Sequence, residues 1–280
     1  MSDSLNQMRN ARVAVVGLGL TGLSVLRYLR GKGITPACFD SRESLNIKSQ
    51  DEALFAGLNL KFGPFSDTEF NDFDFVIVSP GISLATPALA NARALNDNVF
   101  CDVELFARVN SKPVLAVTGS NGKSTVVAWL EQFLTAAGKK AVACGNYGVP
   151  VLDVVDEDYD VFVVELSSFQ LESTTSLVCE AATVLNVTED HMDRYDTFDH
   201  YSLAKNKIYN QAKLCLYNHD DFATKPLISH PNVESFGGMS VCMERSCWHF
   251  DPESQGCYLN SNKLAEFSEF SVGGTHNALN

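Results

Sequence analysis

The sequence predicts an α/β protein of two parallel-sheet units in tandem, the second carrying an added antiparallel segment. Three observations predict it. Short apolar runs alternate with helix-patterned stretches along most of the chain, as strand–helix repeats of a parallel sheet do. Two of these runs, at 12–17 and 113–118, open directly into glycine-rich loops that lead into helices. From about residue 232 the pattern shifts to short polar–apolar segments punctuated by Gly237-Gly238, Gly256 and Asn260, which predicts antiparallel hairpins.

In the first unit, 12–17 is a strand, followed by a glycine turn and a helix over Thr21–Arg30. A second strand, 36–40, ends in Asp40. Apolar runs at Phe75–Val78 and Val99–Cys101 flank a helix-like stretch at Pro87–Asn96. The unit is expected to close near residue 105, giving domains 1–105 and 106–280, with 102–110 a helical connector ending at the Asn110-Ser111-Lys112-Pro113 break. Strands of the second unit are expected at 113–118, 140–144, 161–165, 181–187 and 213–217, with helices at 123–137 and about 198–211. The last ten residues read as a turn and a helix start capped by Thr275, so the chain is expected to stop inside a domain.

Composition narrows the functional classes. The 280 residues are 45% hydrophobic and 20% charged, a globular balance that suits about two domains. A net charge of −13 disfavours nucleic acid and anionic membrane surfaces as partners. No apolar run reaches the roughly 18 residues of a membrane-spanning helix, and the start lacks the basic and apolar regions of a signal peptide. Eight cysteines without a C-x-x-C pair fit a reduced, cytoplasmic setting. Cys38, Cys144 and Cys179 lie in or beside apolar runs and read as core thiols. Cys242, Cys247 and Cys257 lie closer together, but a zinc site there lacks a fourth thiol or a well-spaced histidine.

The strongest motif is the loop Gly119-Ser120-Asn121-Gly122 followed by Lys123-Ser124-Thr125, placed between a strand and a helix. Loop amides and the positive helix end face an anion, Lys123 adds a point charge, and a hydroxyl can ligate Mg²⁺. The spacing departs from G-x-x-x-x-G-K-[ST]: Val117 stands where the first glycine belongs, and the glycine is Gly119. The plain alternative is a glycine turn with a surface lysine. Upstream, Gly17-Leu18-Gly19-Leu20-Thr21-Gly22 matches G-x-G-x-x-G after a strand, with Asp40 at the spacing of a ribose contact. It points to a diphosphate or dinucleotide, against the alternative of a tight strand–helix crossing. Asp40-Ser41-Arg42 offers a base beside it, and Ser79-Pro80-Gly81 closes another strand at the same sheet edge.

Glu165 ends an apolar strand, where a carboxylate is costly unless paired or metal-bound. An Mg²⁺ ligand and a capping or salt-bridged glutamate are the two readings. The next strand end carries Asn186, acids, His191 and Arg194; Asn186 could orient the histidine or a metal's water shell. Lys205, taken alone, reads as a solvated surface lysine.

Together these segments resemble the Mur ligase family over essentially the whole chain. The carrying stretches are VVGLGLTGLS, SPGI, DVELF, VTGSNGKST, GNYGVP, VELSSFQLE, LNVTEDHMDRY, the Lys205 helix and GGTHNALN. The match is closest to the branch that adds D-glutamate to UDP-N-acetylmuramoyl-L-alanine. The resemblance implies a Rossmann-like first domain that binds UDP and not NAD, through Leu20, Thr21, Asp40, Ser41 and Arg42, with Gly81 nearby. It implies a P-loop ATPase-like central domain in which the loop 119–125 holds ATP, Lys123 and Ser124 meeting phosphate and Mg²⁺. Glu165 would ligate that ion. His191 and a carbamylated Lys205 would hold a second Mg²⁺. Asn146 and Ser167 would contact the muramoyl part, and Asn280 would lie at the adenine edge with His276 and Asn277 close by. The family has a third domain, which this chain would lack, so catalysis by this chain alone is not expected. A cytoplasmic monomer acting on UDP-N-acetylmuramoyl-L-alanine, D-glutamate and ATP is the implied protein.

Three other readings compete. A folylpolyglutamate synthase shares such a phosphate loop but begins with its ATPase domain. A nicotinamide-dependent oxidoreductase explains Gly17–Gly22 but leaves Lys123, Glu165 and His191 idle. A non-catalytic binding module explains both loops without a reaction.

Overall fold

The computed structural model describes residues 3–45, 49–238, 247–251 and 253–266. The chain divides into two units. One holds residues up to Ser111 with two returning pieces, Gly148–Glu157 and Glu172–Leu177; the other holds Lys112–Tyr147, Asp158–Leu171 and the chain from Val178 on.

The first unit runs α1 (Asp3–Arg9), β1 (Val13–Val16), α2 (Leu20–Gly31), β2 (Ala37–Asp40), β3 (Leu60–Phe62), β4 (Phe75–Val78), α3 (Pro87–Leu95), β5 (Val99–Phe100) and α4 (Asp102–Val109). Its sheet is wholly parallel, in the order β3-β2-β1-β4-β5. β1 and β4 are buried along their whole length, which is why they read as continuous apolar runs. Phe39, Phe70, Val76, Val78 and Leu89 pack in one core, with Phe39 edge-on to Phe70 at 5.1 Å. The chain order reverses on either side of β1, so the loops after β1, β2 and β4 gather at the switch point where open α/β sheets bind ligands. β3 escapes the sequence reading because it has three residues, one of them Lys61, and no period to recognise.

The second unit runs β6 (Val114–Thr118), α5 (Lys123–Ala136) and β7 (Ala141–Gly145). The returning α6 (Val151–Val154) follows, then β8 (Val161–Glu165), α7 (Ser168–Glu172), β9 (Ala181–Val184), α8 (Phe198–Asn206), β10 (Cys215–Asn218), β11 (Val233–Gly237), β12 (Cys247–Asp251), β13 (Gly256–Leu259) and β14 (Asn262–Glu266). The sheet order is β14-β13-β12-β11-β10-β9-β6-β8-β7. β11 pairs in parallel with β10, and β12 in parallel with β11. The expected change to antiparallel pairing at 232 therefore comes later, at the β12–β13 turn before Gly256. The link from β10 to β11 is long enough for a crossover, which parallel pairing requires. β8 and β9 flank β6 on its two sides, so Glu165, the loop after β6 and the loop after β9 meet at one edge. The helix expected to reach 211 ends at Asn206 and tightens into a 3₁₀ turn at Lys207–Tyr209.

One ion pair and one cluster of hydrogen bonds hold the returning pieces of the first unit. Arg27 on α2 donates to both carboxylate oxygens of Asp153 on α6, Nη2 to Oδ2 at 2.8 Å. The fully buried Glu104 on α4 accepts from the backbone N–H of Thr175 at 2.7 Å and of Ser176 at 2.9 Å, from the Ser176 hydroxyl at 2.7 Å and from Arg108 Nε at 2.8 Å. Burial by itself would raise the Glu104 pKa. The Thr175 and Ser176 donors and Arg108 outweigh it and hold the carboxyl below the usual glutamate value. A carboxyl depressed in the folded state adds stability above its unfolded pKa and loses it as pH falls through the folded value. Glu104→Ala is expected to lower unfolding free energy by about 3 kcal/mol in urea titrations, since it removes the buried acceptor shared by Arg108 and the Thr175 and Ser176 amides. Glu104→Gln is expected to flatten the acid limb of stability against pH; an unchanged limb would contradict the assignment.

Candidate functional site

The first candidate site is the edge formed by the loops after β1 and β2. Gly17 has φ +87°, and a Cβ there would sit 2.7 Å from Ile82 Cδ1 and 2.9 Å from Ser79 Cβ. A Cβ on Gly22 would lie 1.8 Å from the Gly17 carbonyl oxygen, so α2 approaches β1 as closely as only glycine permits. Around Gly19, by contrast, a Cβ would meet open space. Asp40 is 3% exposed and its carboxylate is saturated. Oδ2 accepts from the Leu18 N–H at 2.8 Å and Arg42 Nη2 at 2.8 Å; Oδ1 accepts from the Arg42 N–H at 3.0 Å and Nε at 2.7 Å. Burial works against its charge, but Arg42 and the Leu18 amide prevail and keep the pKa low. With these four bonds made, Asp40 is spent on aiming Arg42 and on fixing the glycine loop, where a nicotinamide-type ribose contact would need free acceptors. Leu20 is exposed, and Thr21, Ser41, Arg42 and Gly81 are at least partly so, on the same edge.

The second candidate site lies at the edge where β6, β8 and β9 end. Gly122, at φ +81°, turns the loop into α5, whose first-turn amides have no partner within the helix. Lys123 Nζ donates to the carbonyl oxygens of Gly119 at 2.8 Å and Ser120 at 3.0 Å. Lys205 Nζ donates to the same Gly119 carbonyl at 3.0 Å. Lys205 is 2% exposed, which overturns its reading as a solvated surface lysine. On α8 Tyr201 lies one turn back on the same face, with its ring 4.6 Å from Lys205 Nζ. Burial, and then the charge of Lys123, push the Lys205 pKa down to about 7.

Glu165 is 1% exposed. Its Oε2 accepts from Ser124 Oγ at 2.8 Å and its Oε1 from Asn146 Nδ2 at 2.8 Å. Asn146, though exposed, thus turns its side-chain amide to the carboxylate. Ser167 is held by Gln170, whose Oε1 accepts from the Ser167 N–H at 3.0 Å. His191 adopts φ +55°, half-exposed, with its ring 4.9 Å from that of Phe169 and its Nε2 3.5 Å from Asp190 Oδ2. Arg194 covers the Phe169 ring at 3.9 Å. His276, Asn277 and Asn280 lie outside the described residues, as does Cys242 of the cysteine cluster. No group of three or more His, Cys, Asp or Glu side chains gathers for a metal among the described residues. The buried Glu165 carboxylate with the Ser124 hydroxyl is a donor set that fits Mg²⁺, which takes one or two carboxylates with phosphate oxygens and water. Tyr201, Thr188 and Gln170 were not singled out in the sequence. Of these only Tyr201 left a signal, its spacing of four from Lys205 on a helix.

A family model described as Mur ligase MurD-like, N-terminal domain, matches residues 11–101, and one described as Mur ligase middle domain matches residues 117–280. The chain belongs to the Mur ligase family. A UDP-N-acetylmuramoylalanine–D-glutamate ligase of Pseudoalteromonas translucida (strain TAC 125) is 43% identical over 285 residues, covering 99% of this chain and 62% of that protein. One of Shewanella oneidensis is 43% identical over 270 residues, covering 95% and 60%. The chain thus spans about three fifths of the length of these curated relatives. Among solved structures, a UDP-N-acetylmuramate:L-alanyl-gamma-D-glutamyl-meso-diaminopimelate ligase from Neisseria meningitides aligns with TM-score 0.59 at 15% identity. The alignment covers 96% of this chain and 90% of that one, a likeness of fold. The α/β architecture of this Mur ligase chain is that of its structural neighbours, and no helix among the described residues is long and apolar enough to cross a membrane.

Glu165 sits buried with two neutral donors, and no cation pairs directly with it among the described residues. Such a charge costs stability that a divalent ion would offset. Glu165→Gln is therefore expected to melt higher than the parent chain in chelator. Added Mg²⁺ should raise the melting temperature of the parent but not of the variant; equal responses would remove Glu165 from the metal site.

Proposed function

We propose that this chain carries the UDP-binding and ATP-binding parts, 1–105 and 106–280, of an ATP-dependent ligase that joins D-glutamate to UDP-N-acetylmuramoyl-L-alanine in peptidoglycan precursor synthesis. The observation that carries the reading is the meeting of Lys123, the Ser124–Glu165 pair and the buried Lys205 at one sheet edge. Relatives at 43% identity bear the name of that ligase. The saturated Asp40 supports a UDP handle over a nicotinamide.

In this reading the amides at the start of α5 and Lys123 take the ATP phosphates, and Ser124 and Glu165 hold one Mg²⁺. His191 and Lys205 hold a second. A free ammonium would repel that ion, but an amine whose pKa is pushed to about 7 is in good part neutral near neutral pH. Its Nζ lone pair can attack carbon dioxide, forming an N–C bond and releasing a proton, which leaves an anionic carbamate. Bound Mg²⁺ supplies positive charge between two anionic reactants. The residues hold the substrate carboxylate in line with the γ-phosphoryl group, so that an acyl phosphate forms and the D-glutamate amine then displaces phosphate. His276, Asn277 and Asn280 are proposed at the adenine edge; Leu20, Thr21, Ser41, Arg42 and Gly81 at the UDP; and Asn146 and Ser167 on the muramoyl side. A cytoplasmic monomer is the setting proposed.

Calorimetric titration of the chain with UDP-N-acetylmuramoyl-L-alanine is expected to show saturable binding, with none for NADH or folates; the reverse would replace this reading. Lys123→Ala is expected to weaken Mg-ATP binding at least about tenfold without affecting the UDP ligand. Labelled bicarbonate is expected to give a carbamate carbon resonance that disappears in Lys205→Ala. No such resonance at any bicarbonate concentration would remove carbamylation from the proposal.

A further inference from the structure

We infer that Asn186 is a positioning residue for the phosphate loop, pinning its apex and leaving the phosphate cradle to the amides that open α5. The inference rests on the reading of that loop as a nucleotide site.

Asn186 follows β9, in line with the ladder: the Leu185 N–H still donates to the Thr118 carbonyl at 2.9 Å. Beyond it the two chains remain knitted together. The Asn186 carbonyl accepts from the Ser120 N–H at 2.9 Å. Its side-chain Oδ1 accepts from the Asn121 N–H at 2.8 Å, and its Nδ2 donates to the Asn121 carbonyl at 3.0 Å. One amide side chain thus satisfies both backbone groups of a single loop residue, as a strand partner would. Two further bonds close the clasp. Ser120 Oγ accepts from the Thr188 N–H at 3.0 Å and lies 3.0 Å from the Thr188 carbonyl.

The clasp accounts for the unusual glycine spacing. Val117 is paired on both sides, with Glu165 and Thr183, inside the sheet and 1% exposed, so no turn can begin there. The loop departs two residues later and passes hard against β9. A Cβ on Gly119 would lie 3.1 Å from Leu185 Cβ and 3.4 Å from the Asn186 nitrogen, and its φ is +158°. The glycine stands where Asn186 draws the backbone in. The clasp also decides which groups remain for an anion. The amides of Ser120 and Asn121 are spent on Asn186, so neither is available to phosphate as the sequence motif implied. The cradle falls to the first turn of α5, at Gly122–Thr125. Because the same strap leads on to Asp190 and His191, the phosphate loop and that loop are held in a fixed relation.

The test compares the parent chain with Asn186→Ala and Asn186→Asp, using Mg-ADP as the probe. Asn186→Ala is expected to weaken Mg-ADP binding about tenfold, the scale of a lost clamp of hydrogen bonds. It should speed hydrogen exchange at the Asn121 amide, with the Ser120 amide, which bonds the Asn186 main-chain carbonyl, the melting temperature and the exchange of β6 and β8 unchanged. Asn186→Asp, which keeps the acceptor for the Asn121 N–H, is expected to retain slow exchange there. Parent-like Mg-ADP affinity in Asn186→Ala would overturn the inference alone. So would a weakened affinity accompanied by a lowered melting temperature and exchange raised throughout the sheet, which would mark a general structural role. A parent chain that binds no Mg-ADP would overturn the nucleotide reading and the inference with it.

Discussion

The second unit turns on the burial of charge at the edge of its sheet. Glu165 ends β8 almost without solvent, and Lys205 is buried across the same edge, each satisfied by neutral partners. A protein optimised for stability alone would place apolar groups there, since removing ions from water costs more than neutral hydrogen bonds return. The arrangement persists because the surrounding sheet is rigid: β6 is paired on both sides, and β8 on both of its own. That rigidity holds the carboxylate, the serine of the helix start and the lysines in register, as the proposed phosphate and divalent-metal site requires.

The two units use glycine differently. In the first, Gly17 and Gly22 let helix and strand approach, and Asp40 spends its full acceptor capacity on the loop amide and on Arg42. The carboxylate there is structural and the guanidinium is the exposed group. In the second, glycine lets one loop lie against another, and the loop's conformation is set by a side chain more than sixty residues downstream. In the proposed function both devices would serve an anion in a chain of net charge −13, through oriented donors and a few fixed cations.

Much of the fold was legible because buried parallel strands are short, continuous and apolar. The runs at β1, β4, β6 and β8 match their strands to within two residues at either end. What escaped the sequence had no local signal. β3 is too short to show a period. β11 and β12 look like hairpin strands, and only their partners make them parallel. Lys205 on its own sequence is indistinguishable from a surface lysine, because burial depends on what the rest of the sheet brings over α8.

By itself the sequence determined most of the buried strands, the helices that follow the two glycine loops, those loops themselves and the placement of Glu165 at a strand end, since these follow from local periodicity and backbone sterics. The tertiary structure alone decided that Asp40 is saturated, that Asn146 and Ser124 share Glu165, that Lys205 is buried beside Lys123, and that Asn186 grips Asn121. Each of these is a contact between residues distant in the chain. The free energy of such a contact depends on distance and desolvation, which only the packed sheet sets.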